Sequence, residues 1–125
     1  MKKLRVKVAG FTAVVMMMAL SGSALAAEVN TSEFGKFTYN LSKSGSTVTA
    51  STSIANYTSS TKVITTLEVQ ENATGNVLFN SSVTKTNNST ASIQATNLTS
   101  TKLAAFSAHE ARGQNSVVKY LAETF

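Results

Sequence analysis

The residues best suited to chemistry lie in one stretch, Lys102 to Gln114, which reads KLAAFSAHEARGQ. It contains the single histidine of the chain, His109, followed directly by Glu110 and three residues on by Arg112. A histidine beside a carboxylate is the first place to look for acid–base catalysis, because imidazole changes its charge near neutral pH. On a strand, however, His109 and Glu110 point to opposite faces, and on a helix Glu110 turns partly away. The stretch therefore predicts a structural rather than a catalytic role for His109, which is expected at the surface or beside a loop.

The rest of the chain offers His109 no obvious partners. There is no cysteine and no aspartate, so the usual ligand sets for zinc, iron or a calcium loop are missing. No Gly-x-Ser-x-Gly elbow, phosphate-binding Gly-rich loop or His-Glu-x-x-His motif occurs. We therefore expect no enzyme, no catalytic residue, no cofactor and no metal site.

The first residues have the three parts of a secretory signal. Four basic residues are followed by an apolar stretch from Val8 to Leu20, and Ala24-Leu25-Ala26 supplies small residues at the spacing that signal peptidase accepts. A membrane-spanning helix needs about 20 apolar residues, and this stretch ends earlier, at Ser21. We predict a signal peptide over residues 1–27, cleaved near Ala26 or Ala27, and a secreted protein. The style of the signal and the lack of disulfides suggest a bacterium.

Removal of the signal changes the charge of the protein. The full chain carries a net charge of +5, but from Glu28 onward seven basic residues face six acidic ones, a balance of +1. No basic cluster remains that would attract nucleic acid or an anionic membrane surface. The expected partner is an unidentified protein or a cell-surface component, with no nucleic acid and no stable membrane insertion of the mature chain.

Residues 28–125 are predicted to form a single secreted β-sandwich domain. Polar Thr, Ser and Asn alternate with apolar residues at period two, which indicates half-buried strands rather than disorder. In the second predicted strand Val48, Ala50, Thr52 and Ile54 point inward. Turns are expected at Ser44-Gly45, at Gly75 and at Asn87-Asn88. The first five strands are predicted at KFTYNLSK, STVTASTSIA, KVITTLEVQ, VLFNSSVTK and TASIQATNL. In the third strand Val63, Thr65, Leu67 and Val69 share one face. In the fourth strand Val77, Phe79 and Val83 are in register.

Residues 102–125 allow two interpretations. Local propensity favours a helix, with an Ala-rich middle and Gly113 as its end. Alternation favours two further strands joined by a hairpin loop at ARGQNS, which would complete two sheets. We predict an all-β, antiparallel sandwich of about seven strands, with a helical C-terminal segment as the alternative. This architecture loosely resembles immunoglobulin-like secreted modules, although the Cys–Trp–Cys core of that family is absent.

Lysines accompany several of these strands, and we interpret Lys36, Lys43, Lys62 and Lys85 as charges that discourage edge-to-edge pairing. A fold alone does not specify an activity. We expect a small secreted, non-enzymatic binding or interaction module, with Tyr57 as a plausible contact residue. The alternatives are a secreted antimicrobial or bacteriocin-like toxin and a subunit of an extracellular fibre or matrix.

Overall fold

The described residues form eight antiparallel β-strands and no helix. A computed structural model describes residues 24–100 and 102–125; the basic and apolar parts of the predicted signal lie outside these residues. The strands are β1 (Ala24–Thr31), β2 (Gly35–Ser44), β3 (Thr47–Ile54), β4 (Lys62–Glu71), β5 (Val77–Thr86), β6 (Thr90–Ala95), β7 (Leu103–Arg112) and β8 (Ser116–Thr124). The small β-sandwich predicted from the sequence is confirmed.

The strands form two four-stranded sheets packed face to face. Sheet I has the order β1-β2-β3-β6, and sheet II has the order β5-β4-β7-β8. Across the interface β1 lies over β8, β3 over β4 and β7, and β6 over β4 and β5. In immunoglobulin domains the second and third strands belong to different sheets, whereas here β2 and β3 are hydrogen-bonded neighbours.

Alternation along the strands builds the core. The inward positions predicted for β3, Val48 to Ile54 at every second residue, are all buried, as are Val63, Thr65, Leu67 and Val69 of β4. One apolar cluster centres on Leu41, Leu67 and Leu103, and a second centres on Phe34 and Phe37. Because both sheets contribute to each cluster, the hydrophobic effect holds the two layers together.

The predicted turns are present, and their backbones explain their sequences. Gly45, Gly75 and Asn87 have φ values of 60°, 78° and 58°. Glycine reaches this left-handed region without a steric penalty, and asparagine tolerates it better than most residues. The three turns connect β2 to β3, β4 to β5, and β5 to β6.

The structure resolves the ambiguity at the C-terminal end in favour of strands. Residues 103–112 and 116–124 pair as an antiparallel hairpin, and β7 also pairs along its length with β4. Pairing on both sides outweighs the local helical preference of the Ala-rich stretch.

Two details differ from the sequence prediction. An eighth strand, β1, covers residues that were assigned to the end of the signal and to the start of the mature chain. A β-bulge between Val69 and Gln70 also shifts the register of β5, so that Phe79 pairs with Val69 but Val77 pairs with Gln70. The expectation that Val77 shares a face with Phe79 is therefore wrong, because the extra residue at a bulge reverses the alternation.

Candidate interaction surface

His109 lies in the core on the inner face of β7, opposite Thr65 of β4, and is fully buried. The expectation of a surface or loop-adjacent histidine is wrong, because β7 is a central strand of sheet II. Glu110 points to the opposite face, where its carboxylate accepts hydrogen bonds from the Arg112 guanidinium. His109 and Glu110 therefore do not form an acid–base pair.

A directional chain of hydrogen bonds fixes the protonation of His109. The Thr65 hydroxyl donates to the carbonyl of Ala91 at 2.8 Å, so in its 2.6 Å contact with Thr52 it must accept. Thr52 has then used its own proton and must accept from His109 Nδ1, at 2.8 Å. The remaining ring nitrogen, Nε2, accepts from the Ser107 hydroxyl at 2.6 Å. This assigns a neutral imidazole with its proton on Nδ1.

Burial keeps the imidazole neutral. Desolvation lowers the pKa of His109 to about 4, opposed in part by a hydrogen bond with the backbone of Ser51. The ring also stacks at a tilt on Tyr39, with the ring centres 5.4 Å apart. The hydrogen-bonded network of Thr52, Thr65, Ser107 and His109 joins residues of both sheets and stabilises the contact between them.

Ser107 and His109 have the spacing of a nucleophile and its base, but their surroundings differ from those of a hydrolase. Both side chains are fully buried, and the Nδ1 side meets a threonine hydroxyl rather than a carboxylate. The inward-facing carboxylate of Glu123 is buried on β8, and desolvation raises its pKa. Its Oε1 has no hydrogen-bond partner among the described residues.

Tyr57, the predicted contact residue, is exposed in the loop between β3 and β4, with 46% of its surface accessible. Two hydrogen bonds stabilise the neighbouring turn. The backbone N–H of Thr58 donates to the hydroxyl of Thr61, and the backbone N–H of Thr61 donates to the carbonyl of Thr58. Tyr57 is a single exposed aromatic, and single exposed apolar residues are common on protein surfaces.

The two outward faces of the sandwich differ in chemistry. On sheet I the outward positions of β2, β3 and β6 are uniformly polar: Thr38, Asn40, Ser42, Thr47, Thr49, Ser51, Ser53, Thr90, Ser92 and Gln94. On sheet II the corresponding positions of β4, β7 and β8 are mixed: seven are apolar, Ile64, Ala104, Phe106, Ala108, Val118, Tyr120 and Ala122, and eight are polar or charged, Lys62, Thr66, Glu68, Gln70, Glu110, Arg112, Ser116 and Thr124. We call this second surface the outer face of sheet II.

An apolar cluster occupies the middle of the outer face of sheet II. It contains Ala104, Phe106 and Ala122, with Ala108 and Tyr120 packed against them. Cross-strand register explains the grouping, because Phe106 pairs with Ala122 and Ala108 pairs with Tyr120. Val118 on the same face is 39% exposed.

A buried polar pair lies beside this cluster. Glu68 is the cross-strand neighbour of Phe106, and Gln70 Nε2 donates to Glu68 Oε2 at 2.7 Å. The other carboxylate oxygen, Oε1, is buried and has no hydrogen-bond partner among the described residues. A buried carboxylate oxygen without a hydrogen-bond donor is energetically costly. The face therefore combines apolar side chains with one carboxylate oxygen, Glu68 Oε1, that has no partner among the described residues.

The sequence contained a signal for this surface. Both faces of β7 and β8 carry apolar residues. The outward apolar residues are Ala104, Phe106 and Ala108 on β7 and Tyr120 and Ala122 on β8. Strands that are apolar on both faces are typical of sheets covered on both sides. Because Val63, Thr65, Leu67 and Val69 were predicted to share one face, alternation places Glu68 and Gln70 on the opposite face, but their burial was not predicted.

The chain matches no family model, no curated protein and no solved structure. Within residues 24–100 and 102–125 no helix is long and apolar enough to cross a membrane. The same residues contain no cluster of three or more His, Cys, Asp or Glu side chains able to hold a metal ion.

Proposed function

We propose that this chain is the precursor of a small secreted bacterial protein that acts without catalysis as an extracellular interaction module. The contact surface in this proposal is the outer face of sheet II. The observation that carries it is the contrast between the two sheets, since sheet I presents Thr, Ser and Asn outward whereas sheet II presents Phe106, Ala122 and their apolar neighbours. Phe106 and Ala122 retain only 7% and 3% of their accessible surface, so the exposed apolar part of this face is Tyr120 and Val118 beside them. Apolar side chains grouped on an outward sheet face favour association.

The buried histidine supports a role without catalysis. His109 and Ser107 are fully buried, and the two ring nitrogens of His109 are hydrogen-bonded to Thr52 and Ser107. A reactive pair needs access to substrate and a group that stabilises the imidazolium. The geometry around His109 serves the packing of the sandwich.

The proposal can be tested with protein purified from the culture medium of an expressing bacterium. Fluorescently labelled protein is incubated with cells of the producing strain, and the bound fraction is measured by flow cytometry. We expect binding by the wild type and a large loss in the Phe106→Ser variant. Ser92→Ala, on the polar face of sheet I, is the matched control and should bind like the wild type. Equal binding by all three proteins, or binding by none, would contradict the proposal.

One observation favours a second candidate, a subunit of an extracellular assembly. Strand β5 is a ten-residue edge strand whose side chains are mostly exposed. A long open edge can pair with another strand and so propagate a sheet. Growth into large β-rich assemblies at raised protein concentration, followed by light scattering, would distinguish this candidate from a monomeric module.

A further inference from the structure

β5 and β8 are the two end strands of sheet II, and they run in opposite directions. The sheet has the order β5-β4-β7-β8, and each pair of neighbouring strands in it is antiparallel. An end strand presents backbone N–H and C=O groups at its outer side, where a further strand can bind. If a second copy lies beside the first in the same orientation, its β5 is therefore antiparallel to β8 of the first copy.

The two layers of the sandwich end together on each side. β6 lies over β5 at one side, and β1 lies over β8 at the other. The same placement of a second copy brings its β6 beside β1 of the first copy, and these end strands of sheet I also run in opposite directions. One contact between two copies thus continues both sheets with antiparallel neighbours.

The cross-strand rows of sheet II determine which residues meet in this contact. Thr84 of β5 and Val118 of β8 belong to one row across the sheet, and Lys85 and Val117 belong to the next row. Continuing the rows into a second copy places Thr84 opposite Val118 and Lys85 opposite Val117. Outward positions then meet outward positions and inward positions meet inward ones, as an antiparallel ladder requires. β5 has ten residues and β8 has nine, so the two strands overlap along most of their length.

Charge weakens this contact without preventing it. In the continued rows Lys119 of β8 is a diagonal neighbour of Lys85, because it lies two residues beyond Val117 on the same face of the strand. Diagonal cross-strand neighbours are about 7–8 Å apart, within reach of long side chains, so the two ammonium groups repel each other. None of the directly opposite pairs in these rows joins two like charges. The contact should therefore form at raised protein concentration.

We propose that β5 of one mature chain pairs with β8 of a second copy, in the register that continues the rows of sheet II. The contact joins two different edges, so it repeats from copy to copy and builds a filament instead of a closed dimer. In the mature chain predicted to begin at residue 28, β1 lacks its first four residues, so sheet II carries most of the contact. This inference rests on the second candidate function, a subunit of an extracellular assembly, and names its contact.

The first test uses introduced cysteines, because the chain contains none of its own. Thr84→Cys and Val118→Cys variants of residues 28–125 are mixed, oxidised and separated on non-reducing gels. We expect a disulfide-linked heterodimer, because opposite Cα atoms of an antiparallel ladder are about 4.5–5.5 Å apart, within the range of a disulfide. Thr49→Cys on the interior strand β3, mixed with Val118→Cys, is the matched control and should give no heterodimer. Disulfides only between two Thr84→Cys chains, or no disulfide between positions 84 and 118, would overturn the proposal.

A second test reverses one charge at a time and needs no disulfide. Lys85→Glu replaces the repulsion from Lys119 by attraction, so it should lower the protein concentration at which light scattering detects assembly by about two- to fivefold. Adding Lys119→Glu restores repulsion and should return this concentration toward that of the wild type. Lys43→Glu on the interior strand β2 is the control and should leave it unchanged. If Lys119→Glu does not reverse the effect of Lys85→Glu, β8 is not the partner of β5.

The inference and the candidate function on which it rests fail in different ways. If large β-rich assemblies grow but no disulfide joins positions 84 and 118, the assembly stands and the contact between β5 and β8 falls. If no assemblies and no such disulfide form at any protein concentration, both fall. Binding of cells through Phe106 is measured separately and does not depend on either result.

Discussion

At the scale of single residues, His109 connects the stability of the protein to pH. Its pKa is lowered to about 4 in the folded protein by burial, against 6.5 for an unperturbed histidine. In the unfolded chain His109 therefore takes up a proton as the pH falls through 6.5, while in the folded protein the His109 imidazole stays neutral until about pH 4. The free energy of unfolding should fall by about 3 kcal/mol across this window on acidification, since each unit of pKa shift corresponds to about 1.4 kcal/mol.

Urea unfolding between pH 4 and pH 8 measures this dependence, with His109→Gln as the control. Glu123 contributes with the opposite sign, because its raised pKa makes the folded protein bind the proton more tightly and so favours folding as the pH falls. The difference between wild type and His109→Gln removes this contribution. The same pH dependence in both proteins would show that His109 is not the group responsible.

A second prediction at this scale concerns the loop between β7 and β8. The Glu33 carboxylate accepts hydrogen bonds from the backbone N–H groups of Gln114 and Asn115 at 2.8 and 2.9 Å, and these bonds lower its pKa. Gly113 leaves space for that carboxylate, because a Cβ there would overlap Glu33 Oε2. We expect Gly113→Ala to expel Glu33 and to lower the melting temperature.

Calorimetry of a double-mutant cycle tests this coupling. If Gly113→Ala acts by expelling the carboxylate, adding it to Glu33→Gln should lower the melting temperature by less than it does in the wild type. Additive effects of the two substitutions would mean that the loop does not depend on this contact.

At the scale of strands, sheet order changes the interpretation of the lysines. Lys36 and Lys43 belong to β2 and Lys62 to β4, which are both interior strands, so these three do not guard an open edge. Lys85 alone of the four lies on an edge strand, β5. The interpretation that these lysines discourage edge-to-edge pairing therefore applies only to Lys85.

We accordingly expect Lys85→Val to promote self-association through β5, whereas Lys43→Val should leave it unchanged. Thioflavin T fluorescence and light scattering over a concentration series follow the process. Faster assembly of the Lys43→Val variant than of Lys85→Val would contradict the assignment of β5 as the vulnerable edge.

The strands also show how far the sequence could predict this protein. Period-two alternation located seven strands and the inward face of β3 and β4, because burial of one face is a local property of the sequence. The pairing of β4 with β7 was not predictable in that way, because it joins residues distant in sequence, and it is this pairing that buries His109. The bulge at Val69/Gln70 and the strand β1 likewise depend on tertiary contacts.

At the scale of the whole molecule, the sandwich has one uniformly polar outward face and one that carries an apolar cluster among polar residues. The outward side chains of β2, β3 and β6 in sheet I are polar, so this face buries no apolar cluster. Sheet II places Phe106, Ala122 and the carboxylate of Glu68 on a surface that is costly to leave open to water. This asymmetry is the basis of the proposed function.

The most direct test of this account is the binding of the fluorescent apolar dye ANS to residues 28–125, the predicted mature protein, at concentrations where light scattering shows a monomer. We predict strong ANS fluorescence for the wild type, a marked loss for Phe106→Ser, and no change for Ser92→Ala. Weak fluorescence for the monomeric wild type, or fluorescence that Phe106→Ser leaves intact, would show that the outer face of sheet II is not the open contact surface.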